Sequence, residues 1–194
     1  MIGKTNGLVI LDWDDSIFPT TSVFSSPNPQ LAQLAELEAS MITFLDKILS
    51  FPGIKVMIVT NAERAWVFHS AKRYMPALLR YLENPIPVRS ARDEYSLFLP
   101  KHDNLWKVCV FKEIVAPQHT HVTQIGDLMR DRNALKDAMK SHRGYFKSVK
   151  LKEKPTAIMM CKQIQTLTNA IEQIVCCNDH VDLMTNVVYF DQCS

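Results

Sequence analysis

Short blocks of consecutive apolar residues alternate along this chain with longer stretches in which apolar positions recur every three or four residues. Leu8-Val9-Ile10-Leu11 is the first block, four aliphatic residues behind Gly7. A short, continuous, aliphatic run of this kind predicts a strand buried on both faces. Lys55-Val56-Met57-Ile58-Val59-Thr60 predicts a second. Pro85 to Ser90 predicts a third, and its prolines place it at a sheet edge. Thr120 to Ile125 and Tyr145 to Leu151 predict the fourth and fifth. Between them lie the helical patterns. Apolar positions 31, 34, 41, 42, 45, 48 and 49 follow helical spacing, with Asn28 as cap, Pro29 as first helical residue and Phe51-Pro52-Gly53 as the stop. Further helices are predicted over about 62–75, 77–83, 105–116 behind Asp103-Asn104, up to about 141 after Gly126-Asp127, and 155–177. Residues 19–30, rich in proline and serine, read as a loop able to flap over the sheet edge. The tail 179–194 contains a β-prone patch, Val187-Val188-Tyr189-Phe190, which leaves two roles open: a strand paired onto the sheet, or a docking segment for a partner.

Strands alternating with helices predict an α/β fold, a doubly wound parallel sheet of five strands. A chain of 194 residues suits one domain, with a core over about 6–152 and a C-terminal helix and tail over 153–194. Apolar residues make up 47% of it, enough for a core, and a net charge of +2 is too mild to argue for a nucleic-acid or membrane surface. No apolar run approaches the ~18 residues of a membrane-spanning helix. The five cysteines, at 109, 161, 176, 177 and 193, form no CxxC pair, so neither a disulfide framework nor a zinc site is expected. With no signal peptide ahead of the first strand, a reduced, cytoplasmic compartment is the expectation.

The chemistry concentrates where strands end. The first strand runs straight into Asp12-Trp13-Asp14-Asp15-Ser16, three carboxylates within four positions. With a period of two, Asp12 and Asp14 point roughly one way and Trp13 the other. Such crowding of like charge is costly unless a cation or a reaction needs it. The second strand ends in Thr60-Asn61, and the fourth runs into Gly126-Asp127-Leu128-Met129-Arg130-Asp131. Asp127 and Asp131, spaced i and i+4, face one side of a helix start. A parallel sheet gathers all of these at its carboxyl edge. Lys107, in the first turn of the helix before the fourth strand, faces the same edge, with Lys101 and Lys112 as rivals. His119 and His121 read as packing residues ahead of a metal pair. Trp66, Phe68 and Tyr74 read as core, and Cys176-Cys177 as helix-end packing.

Taken together, these four pieces resemble the haloacid dehalogenase-like superfamily, most of whose members are phosphatases. Asp12-Trp13-Asp14-Asp15-Ser16 matches its first motif, Val56 to Thr60 the second, Lys107 the lysine ahead of the fourth strand, and Gly126 to Asp131 the fourth motif. The match covers residues 8 to about 150. More narrowly, Asp-Trp-Asp-Asp-Ser, Thr-Asn-Ala-Glu-Arg-Ala-Trp-Val and Ser-Ala-Arg-Asp look like a branch found in protists and some large viruses. Ser16 stands where threonine is usual, and Asp15 replaces a common glycine. The resemblance implies a three-layer, Rossmann-like fold and a Mg²⁺-dependent phosphohydrolase. Asp12 would be the nucleophile and form an aspartyl phosphate. Asp14 would be the general acid and base. Thr60 and Lys107 would hold the phosphoryl oxygens, with Ser16 and Asn61 as substrate contacts. Mg²⁺ would be held by the Asp12 carboxylate, the Asp14 carbonyl and Asp127, supported by Asp131. The chain leaves no room for a large cap domain, so an open site is expected. Such a site suits a macromolecular phosphate, a phosphoprotein or a nucleic-acid end, with nucleic acid a partner only as substrate. A small phosphate ester is the remaining substrate class, and broad activity on such esters counts against the open-site expectation. The competing expectation is a non-catalytic binding module on the same fold.

Overall fold

The computed structural model describes residues 6–25 and 31–184. Its centre is a single parallel sheet: β1 (Gly7–Leu11), β2 (Ile54–Thr60), β3 (Val88–Ser90), β4 (His121–Gly126), β5 (Tyr145–Lys150) and β6 (Val181–Met184). The spatial order is β3-β2-β1-β4-β5-β6, with every neighbouring pair parallel. The side-chain alternation of each strand splits its apolar residues between two layers. Val9 and Leu11 of β1, with Val56 and Ile58 of β2, join one hydrophobic cluster, and Leu8, Ile10 and Val59 join the other. The first cluster is closed by α2 (Leu31–Leu49), α3 (Arg64–Tyr74) and α8 (Ala157–Cys176). The second is closed by α5 (Ala91–Tyr95), α6 (Asp103–Ile114) and α7 (Met129–Ala138). This is the expected doubly wound, three-layer α/β arrangement, and among the described residues no large cap stands over it. No helix among the described residues is long and apolar enough to cross a membrane.

The sheet corrects the expected strand count from five to six. α8 returns the chain to the open edge of β5, where Lys147 pairs with Val181 and Lys150 with Met184. Val181-Asp182-Leu183-Met184 is too short, and too exposed on its outer residues, to announce itself by periodicity. It is held by partners that sequence spacing does not reveal: Arg132 of α7 pairs with Asp182, and the Phe146 N–H donates to His180 Nδ1 at 3.1 Å. The β-prone patch at 187–190 lies outside the described residues, as do Asn28 and Pro29.

Local differences have similar causes. Part of the expected loop at 19–30 is a helix, α1 (Thr20–Ser25), because Asp15 reaches forward and accepts the Thr21 N–H at 2.9 Å. β3 is cut to three residues by Pro85 and Pro87, and Ser90 then caps α5, accepting the Asp93 N–H at 3.0 Å. The helix expected over 77–83 splits into a 3₁₀ turn, Pro76–Leu78, and α4 (Leu79–Glu83). Gly53, at φ 79°, makes the turn that stops α2, a left-handed conformation that favours glycine.

β1 lies between β2 and β4, and the chain visits β2 and β3 on one side before crossing to β4 on the other. The carboxyl ends of β1 and β4 therefore form the topological switch point, where open α/β sheets leave a crevice.

Candidate functional site

Asp12 is the first residue beyond β1, and its N–H still donates to Ile125 O of β4 at 3.0 Å, which fixes it at the crevice. The chain then turns tightly. The Ile17 and Phe18 N–H groups both donate to Trp13 O, at 2.8 and 2.9 Å, and Asp15 adopts a left-handed φ of 55°. Trp13 points away from the crevice, is fully buried, and donates from Nε1 to Ser70 Oγ at 3.0 Å. This anchors the acidic turn to α3. Asp14 stays beside the crevice, and its Oδ1 accepts from Thr20 Oγ1 and from Trp66 Nε1, the latter at 2.9 Å.

The end of β4 approaches Asp12 closely enough that a side chain on Gly126 would push its neighbours aside. A Cβ there would meet Gln124 Nε2 at 2.5 Å, Asp131 Oδ2 at 3.1 Å and Asp12 Cβ at 3.2 Å. Asp127 follows, and its N–H donates to Ser16 Oγ at 3.0 Å. Asp131 lies in the first turn of α7, fully buried, where the helix's positive end favours a carboxylate.

Lys107 closes the cluster. Its Nζ is 2.8 Å from Asp12 Oδ1 and 2.7 Å from Asp131 Oδ2, with the side chain only 4% exposed. Lys101 and Lys112 are exposed on the surface, so the geometry selects Lys107 from the three. Carboxylate oxygens of Asp12, Asp127 and Asp131 lie within 4.8 Å of one another. Burial alone would strip Lys107 of its proton, yet the charges of Asp12 and Asp131 outweigh it and raise its pKa. Burial pushes Asp131 up to about 6 against the pull of Lys107. Asp127, desolvated and facing Asp12 and Asp131, is pushed up to about 8. Burial also raises Asp14, against its two hydrogen bonds and with the help of the Asp12 and Asp15 charges.

One lysine does not balance this many acids. Asp131 Oδ1 is buried with no hydrogen-bond partner among the described residues. Hard oxygen donors, an excess of negative charge and an orphaned carboxylate oxygen fit a small hard divalent cation such as Mg²⁺.

A cavity of about 350 Å³ opens above the cluster. Of the residues singled out by sequence, Asp12, Asp14, Asn61, Lys107 and Asp127 line it, and Asp131 lies directly behind. Thr60 and Ser16 are buried at its margin. Thr60 Oγ1 accepts the Ala62 N–H at 3.0 Å, and the Ser16 hydroxyl contacts both the N–H and the carboxylate of Asp127. Ser16 thus orients Asp127 in this structure. Asp15, expected to add charge at the mouth, lines the wall, whereas sequence reading missed Arg130, Glu153 and Lys154 there and Trp66 and Thr20 behind Asp14. Only the left-handed turn at Asp15 had a local signal, an acid where glycine is common. The rest are brought in by loops and helix starts. His119 and His121 are hydrogen-bonded packing residues: His119 Nδ1 accepts the Ala116 N–H, and His121 lies between Thr120 and Asn178.

The fold and site together define an α/β protein with an acid-and-lysine crevice at the switch point of a parallel sheet. Comparison of the chain with protein-family models, with curated proteins and with solved structures gave no match.

Proposed function

We propose that this protein is a Mg²⁺-dependent phosphohydrolase of the haloacid dehalogenase-like type, acting through Asp12. One observation carries the reading: Asp12, Asp127 and Asp131 converge within 4.8 Å around a buried Lys107, at the floor of a cavity. Lys107 is too tightly held to be a general base. Its ammonium neutralises Asp12 and Asp131 and offers positive charge where phosphoryl oxygens gather. The Asp12 and Asp127 carboxylates and the Asp14 carbonyl would hold Mg²⁺, supported by Asp131. The bound ion supplies the charge that lets an anionic nucleophile meet an anionic ester. Asp12 attacks phosphorus in line, forming an aspartyl phosphate as the ester oxygen departs. Asp14 gives that oxygen its proton and then takes one from the incoming water. Burial raises its pKa above the ordinary carboxylate value, the direction a proton donor needs. Asn61 lines the cavity at the end of β2, and it and Thr60 would hold the phosphoryl oxygens.

Among the described residues no large cap covers the crevice, which supports a macromolecular phosphate presented from outside, on a phosphoprotein or a nucleic-acid end. Cys109, Cys161, Cys176 and Cys177 carry free thiols, which supports a reduced, cytoplasmic compartment. The test is hydrolysis of p-nitrophenyl phosphate with and without Mg²⁺, by the native chain and by Asp12→Asn. Turnover that requires Mg²⁺ and vanishes in the variant is expected. No turnover, together with no thermal shift from Mg²⁺, would overturn the reading in favour of a non-catalytic binding module.

A further inference from the structure

We propose that Trp66 is a positioning residue for Asp14: its indole N–H, clamped within an aromatic cluster, holds the carboxyl so that only one oxygen serves the leaving group. This rests on Asp14 acting as the acid of the reaction proposed above. Trp66 Nε1 donates to Asp14 Oδ1 at 2.9 Å. The same oxygen accepts from Thr20 Oγ1, and Oδ2 takes no hydrogen bond from the described residues. A carboxyl that accepts two hydrogen bonds on one oxygen keeps its proton on the other. Oδ2 is therefore the oxygen that presents the proton.

The indole cannot swing away. Phe18 meets it edge-on with ring centroids 6.0 Å apart, Phe24 lies 5.5 Å off and His69 6.3 Å off. The backbone of Trp66 is tied to the acidic turn as well. Ser70 Oγ donates to Trp66 O at 2.8 Å and accepts from Trp13 Nε1 at 3.0 Å. Trp66 and Thr20 thus hold the carboxyl, while Trp13, through Ser70, ties the acidic turn to the helix that carries Trp66. A residue that only filled space would need no donor here, and Phe24, packed over the indole, is itself 60% exposed. A hydrogen bond directed at a half-buried carboxyl is the feature that packing does not explain.

The test is Trp66→Phe, which keeps a ring and removes the N–H, read as kcat/KM on two esters. That ratio reports every step up to departure of the leaving group, so it isolates the protonation. An alkyl phosphate releases an alkoxide and needs the acid. p-Nitrophenyl phosphate releases a stable phenoxide and does not. The expected result is a loss of roughly 100-fold on ethyl phosphate, the scale of a misplaced catalytic group, with the aryl ester nearly unchanged. In an Asp14→Asn background, Trp66→Phe should add nothing, because the group it positions is gone. Thr20→Val, which removes the second donor, should shift the same ratio in the same direction even if Trp66→Phe folds poorly. Equal losses on both esters, or a full additional loss in the Asp14→Asn background, would overturn the proposal. If the native chain turns over the aryl ester but the ratio never moves, only the role of Trp66 falls. If it turns over neither, the phosphohydrolase reading falls with it.

Discussion

Replacing Lys107 by methionine tests the central electrostatic claim without changing the shape of the site much. The ammonium lies 2.8 Å from Asp12 and 2.7 Å from Asp131 in a setting that is 4% exposed, so solvent screens neither contact. At an effective dielectric constant of ~20, each contact is worth roughly 6 kcal/mol of direct attraction. Two offsets reduce the net. Burying the ammonium already cost several kcal/mol. In its absence the carboxylates can also take up protons, and Asp131 needs little persuasion, since it already titrates at about 6 beside the lysine. What remains is the cost of removing one partner from a buried pair, about 3–5 kcal/mol. For a chain of this size that lowers Tm by roughly 10 °C. The sign with pH follows from the same groups. The lysine stays charged in folded and unfolded states up to its ordinary range, so its own titration adds no pH dependence between pH 5 and 9. The acids do add one. Without Lys107 the pKa values of Asp131 and Asp127, which it holds down, rise further, so a proton neutralises part of the excess as pH falls. The deficit of Lys107→Met should therefore be largest near pH 8 and shrink toward pH 5. Urea unfolding of the native chain, Lys107→Met and Lys101→Met across that range is the assay. If Lys107→Met is as stable as Lys101→Met, or its deficit grows as pH falls, the triad of Asp12, Lys107 and Asp131 is not what holds this edge together.

Other consequences follow from the same contacts. Asp127 is raised from 3.8 to about 8 in the folded protein, so the native state binds a proton that the unfolded chain lacks. Without metal, stability should therefore fall as pH rises from about 4 to 8, while the thermal shift produced by Mg²⁺ should grow over the same window because binding must release that proton. A Mg²⁺ shift that is flat or falling with pH would refute this. Gly126→Ala puts a methyl 3.2 Å from Asp12 Cβ and 3.1 Å from Asp131 Oδ2, with Gln124 closer still, and should cost about 1–3 kcal/mol and remove turnover, measured by melting and by p-nitrophenyl phosphate hydrolysis. Leu37 is fully buried between α2 and the sheet, so Leu37→Ala should cost about 2–5 kcal/mol in urea while leaving kcat within a factor of about two. A large kcat loss there would mean that the core and the crevice are coupled.

Much of this protein is written locally. The runs at Leu8–Leu11 and Val56–Val59 are apolar because the sheet is covered on both faces, and a strand of that kind declares itself without knowledge of its neighbours, whereas Val122–Ile125 also buries the polar Thr123 and Gln124. Asp12, Asp127 and Asp131 were legible for a related reason. They follow strands directly, and parallel strands deliver their carboxyl ends to one edge. Even Lys107 could be preferred to Lys101 and Lys112, since the start of a covering helix faces that edge, although α6 begins at Asp103 and so carries the lysine one turn in. What the chain could not state alone is anything that depends on which loop meets which. The sixth strand exists because α8 ends at the free edge of β5, where Arg132 and Asp182 pair across 50 residues of chain. Trp66 and Asp14 are 52 residues apart and meet only because α3 packs beneath the acidic turn, so a residue that reads as core filler proves to hold a carboxyl. Ser16 reads as a substrate hydroxyl but is drawn inward to Asp127, 111 residues away. Sequence periodicity reports burial, which each residue senses on its own. Partnership across the fold is a property of pairs, and only the tertiary structure decides it.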